Sequence, residues 1–517
     1  MPLLLTLFIF ILSCACSPVQ RHDGYVHYRL IANPSTLDPA QITDVSASTV
    51  AAKIFNGLVR LNGDLEVVSD IAKRWTVSRD GVRYRFSLLT DARFPDGRPV
   101  IASDIRYSFE RVLNPKTRSP NAWIFEHVSG AEDYRQGASA FVAGFRIIDD
   151  STFEVVLKRP FSPFLRMLTM TPAFIVQRET VERLGAAFAH EPSGTGPFLL
   201  KLWKPDREII LVRNEHYFGG TATVRGIAYR IIPEDLTALT EFELGNLDIV
   251  ALPASAFAKF RNNPRWKDHI FTLEGMNTYY LGMNCDRPPM SDVRLRQAVS
   301  LAIDRKKILE TFYENRGRLA AGPVVDMLRQ WRLSTSSQRY DADAARSIIR
   351  SIGAEGTMVQ LFITADQEVI DLAEIVQSYL KKAGLNVHIK QLEWSAYKAA
   401  INQGEPDIFW LSWWADYPDA ENFLFPLFHS ANHGPSGNRT RYSSYAVDLL
   451  IEQGQAALSE SKRNAAYRKA EELIIQDAPW VFMWHKNEYV VKQPWIQGFR
   501  VYPVYTVDKG LEIQITR

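Results

Sequence analysis

At 517 residues, with 46% hydrophobic and 23% charged side chains, the chain has a globular composition and is too long for one core, so two or three lobes are expected. Its formal net charge of +2, with Lys and Arg scattered and no long basic run, excludes a nucleic-acid backbone as an obvious partner. The 12 Trp, 20 Tyr and 28 Phe are a high aromatic load, of use to cores and ligand clefts alike.

The first element is a leader. Residues 1–15 are apolar without a charged side chain, too short to span a bilayer, and read as a secretory signal whose positive end is only the terminal amine. The run Leu12-Ser-Cys-Ala-Cys16 resembles the lipobox of bacterial lipoproteins. Cys16, behind the small Ala15, is the expected lipidation site and Cys14 the alternative, which gives a signal peptide over 1–16 and attachment to the membrane by lipid. Cys285 alone remains, so no internal disulfide framework forms. No later segment is long and apolar enough to read as a span.

After a short tether, 24–31 alternates like a strand and 33–40 is a turn-rich connection. A helix is expected over 46–55, capped by Ser or Thr and stopped at Asn56-Gly57. Ser78-Arg-Asp-Gly81 joins a hairpin, Asp96-Gly97 marks a turn, and Ser103 opens a helix to Leu113. The mixed pattern runs on to Leu168, as in one α+β lobe. Gly194-Thr-Gly196 lacks the spacing of a phosphate loop and a following helix, and instead precedes two strands around 204–207. A helix-to-strand joint fills 242–252, and 277–284 is a strand that enters another lobe. Ser291 is the expected cap of a helix over 292–304, with Leu295, Ala298, Val299 and Ala302 on one face. Strand 359–363, helix 366–383, the stop Gly384 and strand 386–390 make a βαβ unit with parallel strands. Helix 462–475, strand 480–485 and a tail of short strands complete the chain.

The stretch 407–425 is where chemistry concentrates. Residues 408–414, apolar or aromatic except Ser412, suit a strand buried on both faces, and Tyr417-Pro-Asp419 suits the turn that stops it. Added to the βαβ sheet, that strand puts Asp416 at the carboxyl edge of a parallel sheet, where open α/β folds bind ligands. A carboxylate walled by Trp413 and Trp414 is costly to desolvate unless a cation or several donors reach it. A ligand ammonium would serve; so would a core Arg, or a capping role in the turn. Asp416 with Asp419 or Glu421 also makes a carboxylate set suited to acid/base work. Gly-x-Ser-x-Gly, His-Glu-x-x-His, Cys-x-x-Cys and Walker motifs are missing and the 10 His are scattered, so no catalytic residue, metal site or cofactor is expected. A membrane-attached structural protein would explain the lipid cysteine but not the carboxylate among tryptophans.

Five stretches occur in an order that resembles the extracytoplasmic solute-binding proteins of peptide ABC transporters, the oligopeptide- and dipeptide-binding type. They are Pro34-Ser-Thr-Leu-Asp-Pro39 with Phe55-Asn-Gly-Leu58; the run from Asp91 to Asp104 with Tyr107-Ser-Phe-Glu-Arg111; Gly194-Thr-Gly-Pro-Phe198 with Arg213-Asn-Glu-His-Tyr217; the run from Pro288 to Arg305; and Trp414-Ala-Asp-Tyr417 with Asn422-Phe-Leu424. The resemblance covers nearly the whole mature chain. It implies a two-lobed α/β periplasmic-binding-protein fold of the class II type, with a two-strand hinge and an extra α+β domain inserted in the first lobe. Lobe I would be 24–46, 173–276 and 488–517, the inserted domain 47–172, and lobe II 277–487.

The same resemblance gives Asp416 the peptide's α-amino group, Trp413 a place in the cleft, and Ser412 a backbone pairing with the ligand. Trp410 stands where an Arg can hold the ligand carboxylate, and Asn121 where oligopeptide binders have an aromatic cleft residue. Thr43 and Val45 would offer backbone hydrogen bonds. The implied role is capture of short peptides by a monomer lipid-anchored in the bacterial cell envelope, and delivery to a permease driven by separate ATPase subunits. Nickel complexes and sugars are the alternative cargoes.

Overall fold

The computed structural model describes residues 21–331, 333 and 339–516; the leader with Cys14 and Cys16 lies outside the described residues. Among the described residues no helix is long and apolar enough to cross a membrane.

A 12-stranded sheet runs through the molecule in the order Asn386–Leu392, Met358–Thr364, Ile408–Trp414, Asn277–Met283, Trp480–Lys492, Ile249–Ala251, Tyr25–Leu30, Gly226–Ile231, Glu208–Arg213 and Phe198–Lys204, with Ile270–Glu274 and Gly317–Leu319 also paired to Trp480–Lys492. At one end lies the expected βαβ unit. Met358–Thr364 and Asn386–Leu392 pair in parallel, joined by the helix Gln367–Ala383. Asp366 caps that helix, its carboxylate accepting the Val369 N–H at 3.1 Å, and Gly384 ends it at φ +105°, a conformation glycine adopts without strain. The helix buries Leu372, Ala373, Val376 and Leu380 on the sheet, the spacing of one helical face.

The strand Ile408–Trp414 differs from expectation in two ways. It is parallel to Met358–Thr364 only at Leu361–Ile408 and Phe362–Phe409, whereas it is antiparallel to Asn277–Met283 along its whole length, so the sheet is mixed here. Its burial also fades along its length. Ile408, Phe409 and Trp410 are buried, Leu411 to Trp413 half-buried, and Trp414 is 43% exposed.

Two strand passages connect the ends of the sheet. Trp480–Lys492 pairs with Asn277–Met283 near its start and with Ile270–Glu274 and Ile249–Ala251 near its end. Ile270–Glu274 continues through Gly275-Met276 into Asn277–Met283. Separately, Ala72–Val77, Arg83–Leu88, Thr152–Val156 and Phe145–Asp149 form a four-stranded antiparallel sheet over a core that includes Phe86, Phe109, Phe125 and Phe153.

Helix caps fall on aspartates. Asp44 caps Val45–Ile54 and Asp292 caps Val293–Ala302, in place of the expected Ser or Thr and of Ser291. In Ala102–Leu113 the Asp104 carboxylate accepts the Ile101 N–H at 3.0 Å, in place of a Ser103 cap. An anion at a helix N-terminus also meets the positive end of the dipole, which a hydroxyl does not exploit. Gly194 and Gly196 serve close packing: Gly196 N–H donates to Ile54 O at 2.7 Å, and a Cβ on either glycine would fall 2.4 Å from a carbonyl oxygen of the same helix.

Candidate functional site

A cavity of about 760 Å³ opens where five chain segments converge. Residues 42–48 reach it from the first turn of Val45–Ile54, 120–123 and 169–172 from beside the four-stranded sheet, 414–418 from the end of Ile408–Trp414, and 503–506 from the C-terminal tail. Met276, in one of the two passages, also lines it.

Local structure brings Asp416 there. Ala415 N–H donates to Met276 O at 2.9 Å, which ties the end of the strand to the passage. The chain then turns into the helix Glu421–Phe428, whose first turn carries Asn422, 3% exposed. Asn422 Oδ1 accepts the Asp416 N–H at 2.9 Å, and Asn422 Nδ2 lies 3.4 Å from Asp416 Oδ2. Asp416 lines the cavity and is exposed there. Lost hydration raises its pKa from the ordinary value, and the Asn422 hydrogen bond opposes the shift. Among the described residues no Lys, Arg or His side chain pairs with it.

The other two carboxylates of the turn are engaged inward. Asp419 is ion-paired with Arg463, lies 3.6 Å from Arg166, and accepts the Glu421 N–H at 2.9 Å. Glu421 accepts the Tyr417 hydroxyl and, at 2.7 Å, the Gln455 amide; burial pushes its carboxyl up to about 7. Tyr417, 4% exposed, packs into the core of the four-stranded sheet with its ring centroid 6.4 Å from that of Trp123. Ser162 N–H donates to Gln455 O at 2.7 Å beside it. Neighbouring carboxylates thus have separate tasks: Asp416 faces the cavity while Asp419 and Glu421 hold the turn against segments distant in sequence.

The remaining expected residues divide. Thr43 and Val45 line the cavity. The Val45 carbonyl accepts the Thr49 hydroxyl at 2.8 Å. Asn121 lines the cavity too, but its amide donates to Ile42 O at 2.9 Å and so fixes the loop that presents Thr43. Ser412 pairs with Tyr279 and Trp413 with Thr278 inside the sheet, and the Trp413 indole N–H is buried without a hydrogen-bond partner among the described residues. Trp410 is 7% exposed, with its ring 6.0 Å from Tyr279 and 5.7 Å from Trp484. Its side chain fills the core under the sheet and is not part of the cavity lining, a correction to its expected place in the ligand site. At the start of the strand both faces are covered, Ile408 and Trp410 packing in one core and Phe409 in another. Trp123, Met170, Met276 and Tyr505 line the cavity and carried no local sequence signal.

The family model "Bacterial extracellular solute-binding proteins, family 5 Middle" matches residues 66–435. The chain is 27% identical over 488 residues to the probable D,D-dipeptide-binding periplasmic protein DdpA of Escherichia coli, covering 92% of this chain and 90% of that protein. The unliganded open form of the periplasmic murein tripeptide-binding protein MppA superposes with a TM-score of 0.81 at 25% identity, over 95% of this chain and 97% of that one. DppA from Helicobacter pylori, in complex with the peptide STSA, superposes with a TM-score of 0.78 at 25% identity, over 95% of this chain and 98% of that one. A two-ended α/β architecture and a family model spanning most of its length make this chain a member of the bacterial extracellular solute-binding proteins, family 5, with the periplasmic-binding-protein fold.

Proposed function

We propose that the chain captures short peptides by their α-ammonium group at Asp416 and hands them to the permease of an ABC transporter. The observation that carries this reading is a carboxylate exposed on the wall of a cavity of about 760 Å³, without a cationic partner among the described residues. A ligand ammonium supplies the missing charge through charge-assisted hydrogen bonds. The peptide backbone then pairs with main-chain groups near Thr43 and Val45 while its side chains enter the cavity. The relatives support the choice, since DdpA is named for a D,D-dipeptide and the DppA structure is a complex with the peptide STSA.

In this reading lobe I comprises 24–46, 173–276 and 488–517, the inserted domain 47–172, and lobe II 277–487. The passages at Gly275-Met276 and Lys486-Asn487 are the hinge, and the lobes close around it on the ligand. The protein is monomeric and extracytoplasmic, held to the membrane by lipid on Cys16, and works with permease and ATPase subunits. The acid/base alternative is disfavoured because Asp419 and Glu421 are committed to Arg463, Tyr417 and Gln455.

Titration calorimetry with mixed tri- and tetrapeptides tests the reading. Free peptides should bind and their N-acetylated forms should not. Binding of a nickel chelate or an oligosaccharide, with no response to any peptide, would replace it with one of the alternative cargoes.

A further inference from the structure

We infer that the cavity sorts peptides by charge, accepting neutral and basic side chains and rejecting acidic ones, with Asp44 as the second determinant beside Asp416. The inference rests on the peptide reading above. Among the described residues the cavity lining contains two carboxylates, Asp44 and Asp416, and no Lys, Arg or His. An incoming ammonium neutralises Asp416 and leaves Asp44. Asp44 caps its helix, Oδ1 accepting the Ala47 N–H at 2.7 Å, and Oδ2 accepts the Ser35 hydroxyl at 3.0 Å. Both partners are neutral. The helix N-terminus offsets about half a charge, so negative potential remains.

Walls contributed by Trp123, Met170, Met276 and Trp414 keep that potential from being screened as it would be in open water. A ligand carboxylate inside the cavity would therefore meet repulsion, and its side-chain partners among the described lining residues are neutral donors such as Thr169 and Thr171. At an effective dielectric near 20, one carboxylate about 8 to 10 Å from the half charge left at Asp44 loses roughly 4- to 6-fold in affinity. The ligand's own C-terminus is subject to the same field, so it is best accommodated outside the cavity or as an amide. The core position of Trp410 agrees, since it supplies no counter-charge.

Calorimetry at pH 7.5 with Ala-Ala-Ala, Ala-Lys-Ala, Ala-Glu-Ala, Ala-Ala-Ala amide and their four-residue homologues tests this. The Glu peptides should bind at least about 4-fold more weakly than the all-Ala peptides, while the Lys peptides and the amide should bind as tightly or more tightly. Asp44→Asn removes the charge and keeps a good helix cap. It should shrink the Glu penalty, read as the ratio of Ala-peptide to Glu-peptide affinity within each protein, to less than about 2-fold. Equal binding of Glu and Ala peptides, or a penalty untouched by Asp44→Asn, overturns the charge sorting while leaving peptide binding in place. No binding by any free peptide removes both readings together.

Discussion

Asn277 and Lys486 are joined side chain to backbone where the two strand passages run side by side: the Asn277 carboxamide accepts the Lys486 N–H at 2.8 Å and donates to the Lys486 carbonyl at 3.1 Å. Gly275 N–H donates to the same carbonyl at 3.2 Å. A Cβ on Gly275 would sit 2.0 Å from Asn277 Nδ2 and 2.8 Å from Lys486 O. Gly275→Ala should therefore push the Asn277 amide off its partners and leave buried polar groups unpaired, at a cost of about 1–3 kcal/mol for each. Thermal unfolding should show a lowered Tm and calorimetry a weakened peptide affinity; a variant that melts with the wild type would show that the passage tolerates the methyl group.

Asn422 is expected to set the acid limit of binding. Binding needs Asp416 ionised, and Asn422 holds the carboxyl below where crowding alone would put it. Asn422→Leu removes that hydrogen bond at similar volume, so the Asp416 pKa rises further and affinity is lost at a higher pH as the solution is acidified. The measurement is peptide affinity against pH for both proteins. Superimposable acid limbs would assign Asn422 to the turn alone.

Glu421 should give the empty protein an acid-favoured stability component. Its carboxyl is pushed up to about 7 when folded, against 4.5 as the ordinary value, so between these pH values the folded state holds a proton that the unfolded chain has released. This contribution is fully present below about 4.5 and is lost as pH rises through about 7. Glu421→Gln cannot titrate, so the Tm difference, wild type minus variant, should fall between pH 5 and 7.5. A difference that is flat or that rises with pH would contradict the burial argument.

Lipid anchoring at Cys16 predicts that Cys16→Ser releases the protein from the membrane fraction or leaves its leader uncleaved. Fractionation followed by mass measurement of the N-terminus decides this. The same result from Cys14→Ser, with Cys16→Ser unaffected, would move the anchor to Cys14.

Much of the scaffold was legible in the sequence because its signals are local. Asp366 and Gly384 bracket a helix whose apolar residues recur on one face, and the run from Ile408 to Trp414 reads as a strand leading to Asp416. The division of labour among carboxylates was not legible. Whether Asp416, Asp419 or Glu421 faces a ligand depends on Arg463, Gln455 and Arg166, which arrive from distant segments. Trp123, Met170 and Tyr505 were missed for the same reason: each is an ordinary apolar or aromatic residue until the fold sets it beside residues 414–418. Trp410, noted in the sequence as standing where an Arg can hold a ligand carboxylate, is a core side chain in the structure. The aspartate caps were one residue from the expected serines at Asp104 and Asp292, where an acid and a hydroxyl compete for the same helix terminus.

The central claim is that Asp416 holds the ligand ammonium, and the most direct measurement is calorimetry of one peptide and its N-acetylated form against wild type and Asp416→Asn. Breaking one partner of a desolvated ion pair costs about 3–5 kcal/mol, or on the order of 10²–10³ in Kd. Asp416→Asn should weaken the free peptide by that order while the Tm of the empty protein stays close to wild type. Acetylation should weaken wild-type binding comparably and add little in the variant, because both changes remove the same pair. Undiminished affinity of Asp416→Asn for the free peptide would contradict the account, and a large loss of Tm without ligand would return Asp416 to a structural role in its turn.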